Sequence, residues 1–508
     1  MALEVVRRIR GNVHGSVDIT QLEDVVIAHP YFQRLRRIRQ LAFLHYVFPG
    51  ATHTRFEHSL GVMHMAGLAW EKLKKNQERL RQNLSRVNNF ADLEFKGVQE
   101  GVQHGLLAPT FTDIEGIFSS DYILQTFRLA GLLHDIGHPP FSHTGERFLP
   151  TYADLIEANP DLPPYITHYL SDRCDEITAK GGNPSTTRVR HEILSMIMIH
   201  NLLTQIYEED DTDIQIDPRD VNSIIIRGVE PTESSPLIKR RAYQVCCELI
   251  SGELDIDRMD YLLRDSRECG VVYGIFDAGR ILDSLCLYYN QSDDSHHVAI
   301  GFSGLAAFED YLRARHSMYF QLYFHKTSVS AEAMMQHIGC LLGGFNLPGN
   351  IHDYASIDES NINTYINGKT SHLDGDASKR ITALTQSLLL ERKLWKRVYE
   401  IISRDSRPSE SLKKAMTILD NLGVPYELIT SSGSLTRFKP RDRNQPSGNY
   451  LRLIKKDEQQ IPRVVPIEDY CQIVHSNNTT SISRLYVDPT VAKSEKLRSM
   501  LQNKLAKS

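Results

Sequence analysis

The sequence predicts a mainly α-helical main domain followed by a smaller α+β region at the C-terminal end. Before residue 347, long stretches repeat apolar residues every three to four positions, as helices packing on one core require. Glycine and proline punctuate these stretches. After residue 347 the helical repeat gives way to short β-type runs.

The first helical stretch spans residues 32–75, interrupted by the turn-like Phe48-Pro49-Gly50-Ala51, which predicts two helices around a tight loop. A further helix is expected over 121–133, carrying His134 and Asp135 at its end and stopped by Gly137, Pro139 and Pro140. Polar segments near 76–120 and 159–188 read as insertions between helices of one core. Helical patterning resumes over 191–207, 240–266 and 305–342. Residues 379–404 then predict one more helix, and 426–429, 450–454 and 483–487 predict strands. The expected division is therefore 1–346 for the helical domain and 347–508 for the α+β region.

The 508-residue chain is 41% hydrophobic and 24% charged, enough to bury a sizeable core. A net charge of -5 provides no chain-wide attraction to nucleic acid or anionic lipid, so any anion-binding surface must be local. Seven cysteines occur without a C-x-x-C spacing, which fits reduced thiols in a cytoplasmic protein better than a zinc or redox site. No secretory h-region or membrane-length apolar run is present, so neither secretion nor membrane insertion is expected.

The chemistry centres on four residues. His134-Asp135 offers an imidazole nitrogen beside a carboxylate oxygen, a donor set that suits first-row divalent metals. Alone, such a pair is ordinary at a helix end. His58 shares the apolar side of its helix with Gly61, Val62, Met65, Ala66 and Ala69, so it points inward and needs a partner. Asp257 lies in L-D-I-D-R-M-D-Y, where Asp257, Tyr261, Arg264 and Asp265 follow one another on a helical face. An acidic, solvent-facing helix is the plainer reading of that segment taken by itself. His138 and His143 follow in H-D-I-G-H-P-P-F-S-H, and His191 opens the next helix. Imidazoles near a metal can move protons at neutral pH and hydrogen-bond phosphate oxygens.

Taken together, the ordered set H…HD…D, with R-F-E-H-S-L-G-V at 55–62 and the motif from His134 to His143, resembles the HD superfamily. It resembles more narrowly the deoxynucleotide triphosphohydrolases, including the bacterial dGTPase-like and animal SAM-and-HD-domain enzymes, from about residue 13 to 326. No SAM domain is expected ahead of it. The resemblance implies an HD-domain helical core and a metal held by His58, His134, Asp135 and Asp257. It further places His138, His143 and His191 around the α-phosphate, Arg55, Arg258, Tyr261 and Arg315 on the triphosphate, and Gln40, Asp265 and Tyr323 on the deoxyribose. The implied reaction is hydrolysis of dNTPs, dGTP among them, to deoxynucleoside and inorganic triphosphate.

The metal could be manganese, iron, nickel, cobalt or zinc, with magnesium accompanying the triphosphate. The resemblance also implies a tetrameric or hexameric homo-oligomer and an activating nucleotide, with Gln33, Arg36 and Arg280 at regulatory positions. Two other readings stand beside this one. An HD phosphodiesterase or nucleotidase acting on another phosphate ester would use the same metal set. A nucleotide-sensing or nucleic-acid-binding protein is suggested by Arg7, Arg8, Arg10 and the cluster Arg34, Arg36, Arg37, Arg39, although such clusters more often form salt bridges.

Overall fold

The computed structural model describes residues 3–85, 106–107, 116–209, 212, 214–290, 293–343, 346–370, 373–403, 409–433, 451–458, 462–471, 473, 480–490 and 494–506. Most of the insertion expected near 76–120, together with Tyr450 of a predicted strand, lies outside them.

The described chain is mainly helical, with small sheets besides. A hairpin of Val5–Gly11 and Gly15–Thr20 comes first. Residues 32–75 depart from the expected helix pair. Only the short turns Pro30–Gln33, Arg34–Arg37 and Leu44–Tyr46 form before the long helix Arg55–Ser85. The predicted helix over 121–133 is found as Asp121–Leu133, capped by Ser120, whose hydroxyl accepts from the Ile123 amide. His191–Glu209 and Ile256–Glu268 complete the helical framework of the site.

These helices pack closely where small residues permit it. A Cβ on Gly131 would sit 3.2 Å from the backbone of Val62 and Met63, so glycine lets helix Asp121–Leu133 approach helix Arg55–Ser85. Gly61 does the same against helix Ile256–Glu268, where an added Cβ would overlap the Asp260 carboxylate. The three helices carrying His58, His134 and Asp257 are thereby drawn together.

The stretch 305–342 is divided rather than continuous: Leu305–Met318, a π-helical turn at Tyr319–Tyr323, then Lys326–Leu341. The π turn resets the helical register, so Arg315, Tyr319, Leu322 and Lys326 do not form one stripe. The segment 159–188 holds the helix Pro164–Ala179, whose Ile166 and Leu170 are buried in the main core. Residues 379–404 also divide, into the end of helix Gly375–Leu389 and the strand Lys396–Ser403.

The main core does not stop at residue 346. Ile351, Tyr354, Ile362, Ile366, Ile381 and Leu388 belong to it, whereas Val398, Leu412, Leu419, Leu485 and Leu497 form a separate small core. A five-stranded sheet also ties the two parts together, because Ser295–Gly301 pairs in parallel with Arg452–Lys456. A three-stranded antiparallel sheet places Thr480–Val487 between Lys396–Ser403 and Tyr426–Gly433. The strand at 426–433 extends past the predicted 426–429 and the strand at 480–487 starts before the predicted 483. All seven cysteines are free, and no helix among the described residues is long and apolar enough to cross a membrane.

Candidate active site

The C-terminal end of helix Asp121–Leu133 sets the orientation of His134. Its Nδ1 lies 2.9 Å from the carbonyl oxygen of Gly131, which places the ring proton on that nitrogen. Nε2 is then left with a lone pair, buried and without a hydrogen-bond partner. His58 is oriented in the same manner from the other side: its Nδ1 is 2.8 Å from Asp260 Oδ2. Its Nε2 faces Asp257 Oδ1 at 3.0 Å and Asp135 Oδ2 at 3.6 Å. His134 Nε2 lies 3.4 Å from Asp135 Oδ1 and 3.6 Å from Asp257 Oδ1. The two rings stand edge to face with centroids 5.2 Å apart.

Two imidazole nitrogens and two carboxylates thus converge, each imidazole aimed by a bond to its other nitrogen, as metal-ligating histidines are. His58, His134 and Asp135 offer donor atoms within 4.8 Å of one another. The unpartnered Nε2 of His134 is an unmet acceptor that a cation would satisfy, so the residues present fit a divalent metal. Electrostatics agree. Burial disfavours charge on Asp135 and Asp257, yet Arg55 with His134 and His58 holds the Asp135 carboxyl below the usual range, and the same two histidines hold that of Asp257 well below it.

A second group adjoins the first. His138, His143, Glu146 and His191 also bring donor atoms within 4.8 Å of one another. His138 and His191 stack with centroids 3.6 Å apart, and His138 Nε2 is 3.4 Å from Asp135 Oδ1. Burial, reinforced by Arg55 and His191, pushes the His138 imidazole well below its ordinary range and keeps it neutral. Glu146 contacts His191 Nδ1 at 2.5 Å and His143 Nδ1 at 3.1 Å. Burial would raise its carboxyl, but those two histidines hold it below the usual range. His143 is largely exposed.

Beside these groups opens a cleft with about 310 Å³ of water-accessible space, lined among others by Gln40, Arg55, His143, Tyr261, Asp265 and Tyr323. Asp265 is fixed from both sides, accepting from Tyr323 Oη at 2.7 Å and meeting His53 Nε2 at 2.8 Å. The Gln40 Oε1 atom is buried without a partner. Arg55 Nε donates to Ser142 Oγ at 3.0 Å, and its guanidinium is paired with Asp135.

The structure does not bring every expected residue to this cleft. Arg258 is buried against Asp255 at 3.2 Å and donates to the carbonyls of Gly252 and Glu253. Arg315 is buried beside Tyr319, with Nε and one terminal nitrogen unpartnered. Neither lines the cleft. Gln33 and Arg36 bond each other at 2.9 Å, and Arg36 lies 3.5 Å over the Phe56 ring. Arg280 bonds the Ser303 carbonyl, apart from that pair. Arg34, Arg37 and Arg39 are committed within the fold, to the carbonyls of Ile357 and His138, to Asp358 and to Glu359 respectively.

Sequence reasoning missed Glu146, Asp260 and His14. Asp260 stood three residues after Asp257, and Arg264, on the same stretch of helix, pairs with it at 2.8 Å. His14 reaches Asp260 at 2.6 Å from the N-terminal hairpin, which no local pattern announced.

The class these features define is a mainly helical domain carrying a candidate divalent-metal centre. No protein-family model matches the chain. It is 26% identical over 405 residues to an HD domain-containing protein of Acanthamoeba polyphaga mimivirus, covering 77% of this chain and 72% of that one. It is 25% identical over 343 residues to the deoxynucleoside triphosphate triphosphohydrolase of Gallus gallus, covering 65% of this chain and 45% of the relative. The chain thus spans less than half the length of that vertebrate protein. In fold it matches a crystal structure of a phosphohydrolase from Bacteroides thetaiotaomicron, with TM-score 0.58 and 22% identity over 95% of this chain and 99% of the other. The resemblance to HD-domain proteins and to the deoxynucleotide triphosphohydrolases among them holds.

Proposed function

We propose that the chain is a metal-dependent HD phosphohydrolase that splits dNTPs, dGTP among them, into deoxynucleoside and inorganic triphosphate. One observation carries this reading: the His58, His134, Asp135 and Asp257 cluster adjoins a cleft that also holds Gln40, Asp265 and Tyr323. A metal site alone would suit many phosphate esters. A neighbouring cleft with a fixed carboxylate, a tyrosine and an unmet amide oxygen suits a sugar.

A divalent ion bound by the four residues would polarise a phosphoryl oxygen and activate water. The chain's own residues supply the rest. Arg55, at the junction of metal site and cleft, offers guanidinium donors to phosphate oxygens. Asp265 has both oxygens already engaged, so it is held still to accept from the 3′ hydroxyl. Tyr323, bonded to Asp265, closes the space beside C2′, where an added hydroxyl would clash. Water attacks the α-phosphorus, the bond from phosphorus to the 5′ oxygen breaks, and that oxygen takes a proton. His143 provides it, with Glu146 stabilising the charged imidazole and steering His191. His138, kept neutral, is free to take up the proton that the attacking water loses and to pass it on.

The test is product analysis with each dNTP and the matching NTP, over a panel of divalent metals. Deoxynucleoside plus triphosphate is expected, with NTPs spared. Release of monophosphate and pyrophosphate would refute the bond assignment, and turnover confined to cyclic or monophosphate esters would favour the phosphodiesterase or nucleotidase reading.

A further inference from the structure

One carboxyl in the cleft has no part in the chemistry above. Glu332 lines it from helix Lys326–Leu341, beside Ser328 and Val329, with Ser431 reaching in from strand Tyr426–Gly433. Among the described residues its carboxyl makes no hydrogen bond or ion pair. Arg147 and Arg484 act on it only through their charge, and Arg484 spends its own donors on Glu400 at 2.6 Å and the Phe324 carbonyl at 2.7 Å. Leu41, Val329 and Phe324 give the same cleft apolar surface suited to the face of a planar ring.

We infer that Glu332 reads the base of the substrate, and that it selects guanine. This rests on the dNTP reading above. A carboxylate only accepts hydrogen bonds, and its two oxygens match two adjacent donors. Guanine alone presents such a pair, at N1–H and the exocyclic N2 amine. Adenine and cytosine set an acceptor nitrogen beside their amine, and thymine flanks its single N–H with two carbonyls. Each of these would leave a buried lone pair facing another, the kind of mismatch that sites use to reject a competitor. The present state of Glu332 agrees with an unmet role: burial pushes its carboxyl up, against the two arginines, to about 7. Paired donors would favour its ionised form.

The experiment compares dGTP, dITP, dATP and dTTP by kcat/KM in the wild type and in Glu332→Gln, with calorimetric binding of dGMP, dIMP and dAMP alongside. The wild type should favour dGTP over dITP, which lacks only the N2 amine, by about tenfold. Glu332→Gln should cut the guanine-to-adenine preference by about tenfold and reduce the dGTP-to-dITP difference to about threefold or less. The dITP comparison needs no variant and so does not depend on how the substitution folds. Equal handling of dGTP and dITP by the wild type, or an unaltered guanine preference in Glu332→Gln, would overturn the assignment. Were no dNTP hydrolysed, the functional reading would fall, while monophosphate binding would still decide the role of Glu332.

Discussion

His58 has two ring nitrogens with different duties: one faces Asp257 and Asp135, the other is anchored on Asp260. Asp260 in turn is shared with His14 and Arg264. It touches no donor position of the metal site except through His58, so its effect is on aim and basicity. Asp260→Asn should weaken divalent-metal affinity by about 10- to 100-fold, with activity returning as metal is raised. Metal titration followed by elemental analysis checks this; lost activity at full metal occupancy would show that Asp260 does something else. His64, further along the same helix, carries a pH dependence. Burial, with His14 and Arg128, depresses its imidazole to about 4, from an ordinary 6.5. The unfolded chain therefore takes up this proton first as pH falls. The associated stability is complete above about 6.5 and is lost toward 4. His138 is depressed for similar reasons and adds to the loss. His58, raised to about 10 by Asp257 and Asp260 despite its burial, has the opposite sign, but its contribution is constant below about 6.5. Other buried groups act in the same window, Glu332 with the opposite sign because its raised carboxyl takes up a proton first in the folded chain, so the His64 share is read as a difference: between pH 6.5 and 4.5 the wild type should lose more melting temperature, or gain less, than His64→Gln. Calorimetry showing parallel profiles for the two proteins across that window would count against it.

Among elements, those with a sustained helical repeat were readable from sequence. The helix at 121–133 begins at its serine cap and ends before Gly137. The helix beginning at His191 was equally plain, since its apolar run extends well beyond the length of a strand. The segment at 34–46 misled, because apolar spacing cannot tell one helix from a chain of short turns whose arginines bond to carbonyls and acids more than 300 positions away. The π turn at 319–323 was hidden for a related reason: one extra residue per turn leaves composition unaltered. In the site, the residues in short motifs were found. The resemblance places Arg258 and Arg315 on the triphosphate, whereas the fold engages them with Asp255 and Tyr319. At the helix crossings, close approach depends on what is missing from a side chain. Gly61→Ala would press a methyl into Asp260 and Arg264, and should cost about 1–3 kcal/mol in urea unfolding. It should also lower metal affinity, since Asp260 would have to move; an unchanged unfolding midpoint would contradict the packing.

Across the whole molecule, the C-terminal strand Thr480–Val487 braces the segment of chain that carries Tyr323 and Phe324 in the wall of the cleft. Tyr486 Oη donates to the Lys326 carbonyl at 2.7 Å, and Arg484 grips the Phe324 carbonyl, immediately after Tyr323. The other side of the site is assembled from distant stretches of chain: His58, His134 with Asp135, and Asp257 lie on separate helices. A cation gathered by them would be a rivet through three plates. Because the unfolded chain cannot present these donors together, occupancy at 100 times the dissociation constant would add about 2.7 kcal/mol to stability. Chelation should therefore lower the melting temperature. In hydrogen exchange the ion-free protein should lose protection where the three helices meet, around His58, His134-Asp135 and Asp257.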